Sequence, residues 1–298
     1  MMTMGIFDGV HAGHQQILKT TCERAEIEGA YSVLLTFEPH PGFVLKNSGT
    51  PDIRLLSTID EKIEILEELG LDCLIIANFT QSFASTSAED YVKNLIVDSM
   101  RAKQVIIGHD HAFGRGRSGN IDLLRQMGQE YGFGVDAVNP VAAGQKTVSS
   151  TRVRELITGN EVEKAADLLK RPYAIHGQVV NGSGRGKKIG FPTANIRLFS
   201  QYKLVPGNGI YATRTRSDDV MYPSVTYVGT RPTFGLEERV IESHIMDFDG
   251  EIYGTELKLY FYKCLRQEEQ FADEQALVEA IKQDKKKAEK FLQNGGTD

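Results

Sequence analysis

Gly5-Ile6-Phe7-Asp8-Gly9-Val10-His11-Ala12-Gly13-His14, the stretch GIFDGVHAGH, decides how the first half of the chain is read. It joins an opening strand to a helix whose apolar face is Ile17, Leu18, Cys22 and Ala25. Gly5, Gly9 and Gly13 let the backbone come close to a ligand, and the free amides and dipole of a helix start favour an anion. Two histidines three residues apart add imidazoles able to neutralise charge on a phosphoryl group under attack. A metal pair and plain capping histidines are the other readings. A metal asks for further His, Cys or carboxylate ligands, and only Asp8 is close.

Outward from this stretch, short apolar runs alternate with helical periodicity. YSVLLTF (Tyr31 to Phe37), LDCLIIA (Leu71 to Ala77), QVIIG (Gln104 to Gly108) and GFGVDAV (Gly132 to Val138) read as strands buried on both faces. Ile59, Ile63, Leu66 and Leu69 form one helical face, and Ile121, Leu124 and Met127 another. Tyr91, Leu95 and Ile96 follow Ser87, with Glu89 and Asp90 in the first turn, which is helix-start chemistry. Strand and helix in alternation predict a Rossmann-like parallel sheet covered on both sides, with ligands beyond the carboxyl ends of its strands.

After Arg171-Pro172 the pattern changes. IHGQVV, IYATRTR, PSVTYVG, RVIESHIMDF and ELKLYFY are short, partly alternating runs separated by turn residues, which predicts a small antiparallel barrel. A terminal helix follows from Glu274 to Leu292, and its DKKKAEK run reads as a solvated face. The expected domains are therefore 1–171 and 172–298.

Composition narrows the classes. Of 298 residues, 41% are hydrophobic and 25% charged, as in globular chains, and no run is long enough to span a bilayer. The start lacks the regions of a secretory signal. Cys22, Cys73 and Cys264 lie too far apart for a disulfide framework or a CxxC zinc site, so a reducing cytoplasm is expected. A net charge of −6 predicts no nucleic-acid partner, and nothing predicts a membrane partner or an oligomeric state.

Two further segments carry chemistry. Ser149-Ser150-Thr151 opens a helix beside Arg152 and Arg154; hydroxyls, amides and guanidinium together suit a second anion, and a chain end folding back would bring both anion sites to one triphosphate. Gly182-Ser183-Gly184-Arg185-Gly186-Lys187-Lys188-Ile189-Gly190-Phe191-Pro192-Thr193-Ala194-Asn195 is the densest signal. Four glycines among three basic residues imply phosphate contact, while Thr193 and Asn195 offer neutral oxygens to a magnesium ion that keeps its waters. It is one residue short of a Walker loop and has Lys188 where Ser or Thr belongs. Gly114 to Gly119 fits G-x-G-x-x-G, with Asp136 downstream, but lies late in its domain and carries Arg115 and Arg117, so a cationic loop is the better reading. Strand alternation puts Glu242, His244 and Met246 on one face and gives Glu242 no special standing.

GxFDGxHxGH followed by SSTxxR resembles the HxGH nucleotidyltransferase superfamily. Phe37-Glu38-Pro39-His40-Pro41 and Gly108-His109-Asp110-His111-Ala112-Phe113-Gly114 narrow the likeness to the bacterial bifunctional riboflavin kinase/FMN adenylyltransferase (FAD synthetase) family. GFPTAN, VGTRPTF and ExHIxDFxGxIYG are similar to its riboflavin kinase domain. The chain departs from the family pattern at Ile6, where Asn is usual, and at His111, where an aromatic is usual. The resemblance implies that His11 and His14 meet the α-phosphate of ATP, beside Gly5, Phe7, Gly9 and Gly13. Ser149, Ser150, Thr151 and Arg154 would meet its outer phosphates. Phe37, Pro39, His40, Pro41, Asp110, Phe113 and Arg117 would face the flavin. In the second domain it implies Glu242 as base, Thr193 and Asn195 on magnesium, and Gly182, Gly184, Arg185, Gly186, Lys187, Lys188, Gly190 and Pro192 around a nucleotide. The implied function is FAD synthesis from riboflavin with ATP and Mg²⁺, by way of FMN. One retained activity, the kinase, and a flavin- or nucleotide-sensing protein without turnover are the alternatives.

Overall fold

The opening run Met2–Met4 (β1) forms the centre of a parallel five-stranded sheet. On one side it pairs with β2 (Val33–Glu38), which pairs with β3 (Cys73–Asn78). On the other it pairs with β4 (Gln104–Gly108), followed by β5 (Gly134–Val138). In this computed structural model the described residues are 1–45, 53–144, 146–182, 184, 186, 189–233 and 236–295. They fold as two compact units, Met1–Ser150 and Thr151–Asp298.

Alternation along the strands splits the first unit's core in two. Met2, Met4, Leu35, Val105 and Ile107 face one layer, where Ala88, Tyr91, Val92, Ile96, Leu124 and Met127 cover them. Leu34 faces the other, packed with Phe7, Val10, Leu18 and Leu66. The second layer consists of α1 (Ala12–Ile27) and, after the short turn α2 (Pro41–Val44), α3 (Ile59–Glu68). The first follows another short turn, α4 (Gln81–Ala84), and is built from α5 (Ala88–Tyr91, continuing as a π-helix over Val92–Ser99) and α6 (Ile121–Tyr131). Ser87 caps α5 by accepting from the Asp90 amide, and Thr58 and Glu61 close a reciprocal capping box on α3. Of the four runs expected to be buried on both faces, β2 and β4 are. β3 and β5 are the sheet edges, and Ile76 on β3 is 44% exposed. A ribbon of β6 (Ala142–Ala143) and β7 (Lys146–Thr147) leads to α7 (Ser150–Thr158).

In the second unit, α7 and α8 (Val162–Leu169) precede a closed barrel. Its strands are β8 (Tyr173–Val180), β9 (Ala194–Leu198), β10 (Gly209–Ser217), β11 (Val220–Thr233), β12 (Leu236–Ile245) and β13 (Glu256–Arg266), arranged β10-β11-β12-β9-β8-β13. β8 alternates buried and half-buried positions throughout, and Tyr211 meets Phe261 edge-on inside. The rest of the interior includes hydroxyls: Thr213 bonds Ser224 and Thr226, Thr215 bonds Ser224, and Thr226 bonds Ser243, at 2.7–3.0 Å. All five residues are fully buried, and each hydroxyl has a partner, so their desolvation is compensated.

The helix α9 (Glu274–Gln293) closes the chain against β10 and β11 through Ala288, Phe291 and Leu292. Here the reading of DKKKAEK as a solvated face needs correction. Lys286 and Lys287 are exposed, but Asp284 is 2% exposed and takes three bonds of 2.8–3.1 Å from the Arg266 guanidinium at the end of β13. The helical period turns every fourth residue of the run inward, so Asp284 and Ala288 share the buried side. Breaking a buried pair leaves one charge uncompensated. Asp284→Ala should therefore lower the unfolding free energy of the second unit by about 3 kcal/mol in urea titrations.

Candidate functional site

Strand order reverses between β1 and β4, since β2 and β3 run out on one side of β1 and β4 and β5 on the other. A crevice opens beyond the carboxyl ends of strands at such a point. GIFDGVHAGH leaves β1 there, and Gly108 to Gly114 leaves β4 there. The predicted phosphate and flavin segments therefore start from adjacent strands.

The loop after β1 is held from below. The Asp8 carboxylate, 4% exposed, accepts from the amides of Leu56 and Ser57 at 3.0–3.1 Å, and the Ser57 hydroxyl accepts from the Gly9 amide at 3.0 Å. Gly9 has φ of 78°, and a Cβ there would lie 2.8 Å from Leu56, so only glycine fits. Phe7 and Val10 also take left-handed φ, 50° and 39°, which is unfavourable for a β-branched residue and is sustained by burial of both side chains. Asp8 is thus a structural tether for the loop. The Ser150 hydroxyl donates to the Asp8 carbonyl at 2.9 Å and brings the SST segment to the loop within the first unit. Thr151 and Arg154 follow on α7, beyond the division between units.

His11 caps α1, its Nδ1 accepting from the His14 amide at 3.4 Å. In a neutral ring this puts the proton on Nε2. The two imidazoles stack with centroids 3.7 Å apart, and Phe7 lies 4.6 Å from His14. Burial holds the His14 pKa well below the usual value, reinforced by His11 and Lys62. His14 is therefore a neutral imidazole whose buried Nδ1 has no hydrogen-bond partner among the described residues. Lys62 on α3 reaches the same loop, donating to the Ile6 carbonyl at 2.7 Å and to the Thr36 hydroxyl at 3.3 Å. Burial lowers its pKa, while Asp8 and Glu38 oppose that shift.

Beside the loop lies a run of aromatic rings. Phe37 packs on Phe79 and Phe83, Phe83 on Tyr91, Tyr91 on Phe113 and Phe113 on His111, with centroids 5.4–6.0 Å apart. Phe37 and Phe113 were expected; Phe79, Phe83 and Tyr91 were not singled out for a site, although their spacing just after β3 and at α5 was available in the sequence. His111 has a buried Nε2 with no hydrogen-bond partner among the described residues, and burial lowers its pKa to about 4. His40 caps α2 through the Gly42 amide, and Pro39 and Pro41 flank it. Asp110 approaches Gly108, and Arg117 is exposed in a turn after Gly114, whose φ is 72°. Asp136 bonds Gln104 at 2.6 Å on β5, which removes it from any dinucleotide reading of Gly114 to Gly119.

A second constellation lies within the barrel unit. Asn195 and Glu242 are register partners on β9 and β12, and the Thr193 hydroxyl donates to the Glu242 carboxylate at 3.2 Å. His244 Nδ1 meets the Pro192 carbonyl at 2.8 Å, and its ring packs edge-on against Phe191. A Cβ at Gly182 would press on the Asn195 amide group, and one at Gly186 would collide with the Phe191 backbone carbonyl, so the latter position requires glycine. Gly184 and Gly190 take positive φ. Arg185, Lys187 and Lys188 lie outside the described residues. Met246 leaves the expected face: β12 ends at Ile245, the chain turns, and Met246 is buried against α9. Among the described residues no cluster of three His, Cys, Asp or Glu could hold a metal. Thr193 and Asn195 instead offer neutral hard oxygens beside the Glu242 carboxylate, a donor set that fits a magnesium ion shared with phosphates.

Two families match the chain: one described as FAD synthetase over residues 1–152, and one described as riboflavin kinase over residues 169–292. A Buchnera aphidicola (subsp. Schizaphis graminum) protein named bifunctional riboflavin kinase/FMN adenylyltransferase is 33% identical over 98% of this chain and 93% of its own. A Listeria monocytogenes protein of the same name is 34% identical over 98% of this chain and 92% of its own. A solved structure described as a macrolide-efflux protein from Streptococcus pneumoniae superposes with a TM-score of 0.88 at 30% identity, over 96% of this chain and 92% of that one. No helix among the described residues here is long and apolar enough to cross a membrane.

The partly buried His111 makes the first unit acid-sensitive. Unfolded, His111 titrates near 6.5; folded, near 4. As pH falls below 6.5 the unfolded chain binds a proton that folded His111 refuses, so stability is lost toward pH 4. Between pH 7 and about pH 4.5 this is worth about 2 kcal/mol. In urea titrations of the first unit, His111→Phe should shrink the acid-induced loss by that amount; an unchanged loss contradicts the assignment.

Proposed function

The chain belongs to the bifunctional riboflavin kinase/FMN adenylyltransferase family, and we propose that it makes FAD from riboflavin in two ATP-dependent steps, one in each unit. The observation that carries this reading is the separation of the two constellations. The carboxylate-and-hydroxyl group lies in the barrel unit, and the histidine pair lies at the sheet's switch point. The corresponding functional domains are 1–171 for adenylyl transfer and 172–298 for the kinase.

In the kinase step the ribityl 5′-hydroxyl of riboflavin attacks the γ-phosphorus of ATP. A P–O bond forms to that oxygen, the bond to ADP breaks, and the hydroxyl proton passes to Glu242. Thr193, donating to the Glu242 carboxylate, fixes its direction. Gly182, Gly184, Gly186, Gly190 and Pro192 line the nucleotide, with Arg185, Lys187 and Lys188 supplying charge. Thr193 and Asn195 would hold Mg²⁺, which when bound offsets charge on the phosphate oxygens.

In the second step a phosphate oxygen of FMN attacks the α-phosphorus of another ATP, and pyrophosphate leaves. That oxygen is already ionised, so no base is needed and stabilisation of charge does the work. His11 and His14 supply ring N–H donors, the amides of the loop from Gly5 to Gly13 add more, and Ser149 and Ser150 meet the outer phosphates. The aromatic run from Phe37 to Phe113, with Phe79 and Phe83, provides a face for the isoalloxazine ring. Pro39, His40, Pro41, Asp110 and Arg117 border it. The scattered cysteines, all unpaired, suit a cytoplasmic setting.

Chromatography of flavins after incubation with ATP and Mg²⁺ tests the division. Wild-type protein should convert riboflavin to FAD; FMN alone, or unchanged riboflavin, contradicts the reading. Glu242→Ala should cut FMN formation about 10²–10⁴-fold, while still converting supplied FMN to FAD. His14→Ala should do the reverse, with a loss of about 10²–10³-fold in FAD formation.

A further inference from the structure

Lys62 is 4% exposed, yet among the described residues its ammonium forms no ion pair. Its hydrogen bonds go to the Ile6 carbonyl and to the Thr36 hydroxyl, and Thr36 in turn donates to the same Ile6 carbonyl at 3.1 Å. One carbonyl oxygen is thus gripped by a cation and a hydroxyl that also bond each other. Asp8 and Glu38 offset the buried charge only from beyond contact distance. Burying an ammonium without a contact ion pair is costly, and an aliphatic side chain at this position of α3 would avoid the penalty.

The geometry of the peptide unit says what the grip achieves. In a planar trans peptide the carbonyl and the following N–H point in opposite directions. Drawing the Ile6 oxygen toward Lys62 therefore turns the Phe7 N–H away from it. That amide has no hydrogen-bond partner among the described residues. Phe7 itself is held at φ 50°, with its ring 4.6 Å from that of His14, so the peptide borders the histidine pair. A charge-assisted bond of 2.7 Å is strong enough to hold the entry to this left-handed turn.

We propose that Lys62 is a positioning residue for adenylyl transfer: by anchoring the Ile6 carbonyl it presents the Phe7 amide as a donor to the α-phosphate of ATP. The inference rests on the first unit's proposed activity. Lys62→Met removes charge and donor while keeping the chain's length, and the kinase activity of the same polypeptide reports whether the protein remains folded.

Steady-state FAD formation from FMN should show kcat reduced about a hundredfold, with KM for ATP changed less than threefold and kinase turnover kept. Thr36→Val, which removes the other donor to Ile6, should lower kcat in the same direction by a smaller factor. A fall in kcat of less than tenfold in Lys62→Met, or a loss confined to KM, overturns the inference alone. Wild-type protein that forms FMN but no FAD overturns the reading beneath it as well. Should Lys62→Met lose both activities, the wild type decides. With ¹⁵N-phenylalanine labelling, the Phe7 amide resonance should shift downfield on adding α,β-methylene ATP with Mg²⁺, and an unmoved resonance overturns the proposal.

Discussion

A phosphate gripped by backbone amides is held only as firmly as the backbone is, and the candidate phosphate loop of each unit is braced by polar bonds made before any ligand arrives. In the first, Asp8 ties the loop after β1 to Leu56 and Ser57, Ser57 ties back to Gly9, Ser150 reaches the Asp8 carbonyl, and Lys62 holds Ile6. In the second, Thr193 is bonded to Glu242, and His244 to the Pro192 carbonyl. A preorganised donor does not have to reorient as charge develops, which is why electrostatic stabilisation by such groups is large. The left-handed Phe7 and Val10 are part of the cost of that rigidity.

The two folds answer the constraint differently. The parallel sheet places its loop at the point where strand order reverses, so the position of the candidate site follows from topology. The barrel has no such point. Its site arises where β9 pairs with β12, which sets Asn195 opposite Glu242, and where glycines let the preceding loop lie against Asn195 and Phe191. The neighbour of Glu242 on β12, Ser243, turns inward and joins the buried hydroxyls of Thr213, Thr215, Ser224 and Thr226. These bonds fix the register of the strand that carries the carboxylate.

Much of this was legible in residues alone. Apolar runs located β2 to β5 to within about two residues, because central parallel strands must be apolar throughout. Edge status was not legible: LDCLIIA reads as fully buried, and only the strand order reveals Ile76 as exposed. The HxGH pattern pointed to the first candidate site and glycine spacing to the second. The strand β9 was hidden by the motif it begins in, since Ala194-Asn195 reads as loop chemistry. Nothing in the residues marked Asp8 as a tether, because its partners Leu56 and Ser57 lie 48 and 49 residues away. Lys62 sits in an amphipathic helix among Asp60, Glu61 and Glu64, where a lysine looks solvated; burial came from tertiary packing. Asp284 misled for the same reason.

The central claim is that each unit binds its own adenine nucleotide through a preformed loop. Calorimetric titration of a non-hydrolysable ATP analogue into the full chain with Mg²⁺ addresses it most directly. The account predicts two nucleotides bound per chain, with His14→Ala weakening one and leaving the other unchanged. A single nucleotide per chain, or a substitution at His14 that weakens both equally, would contradict it.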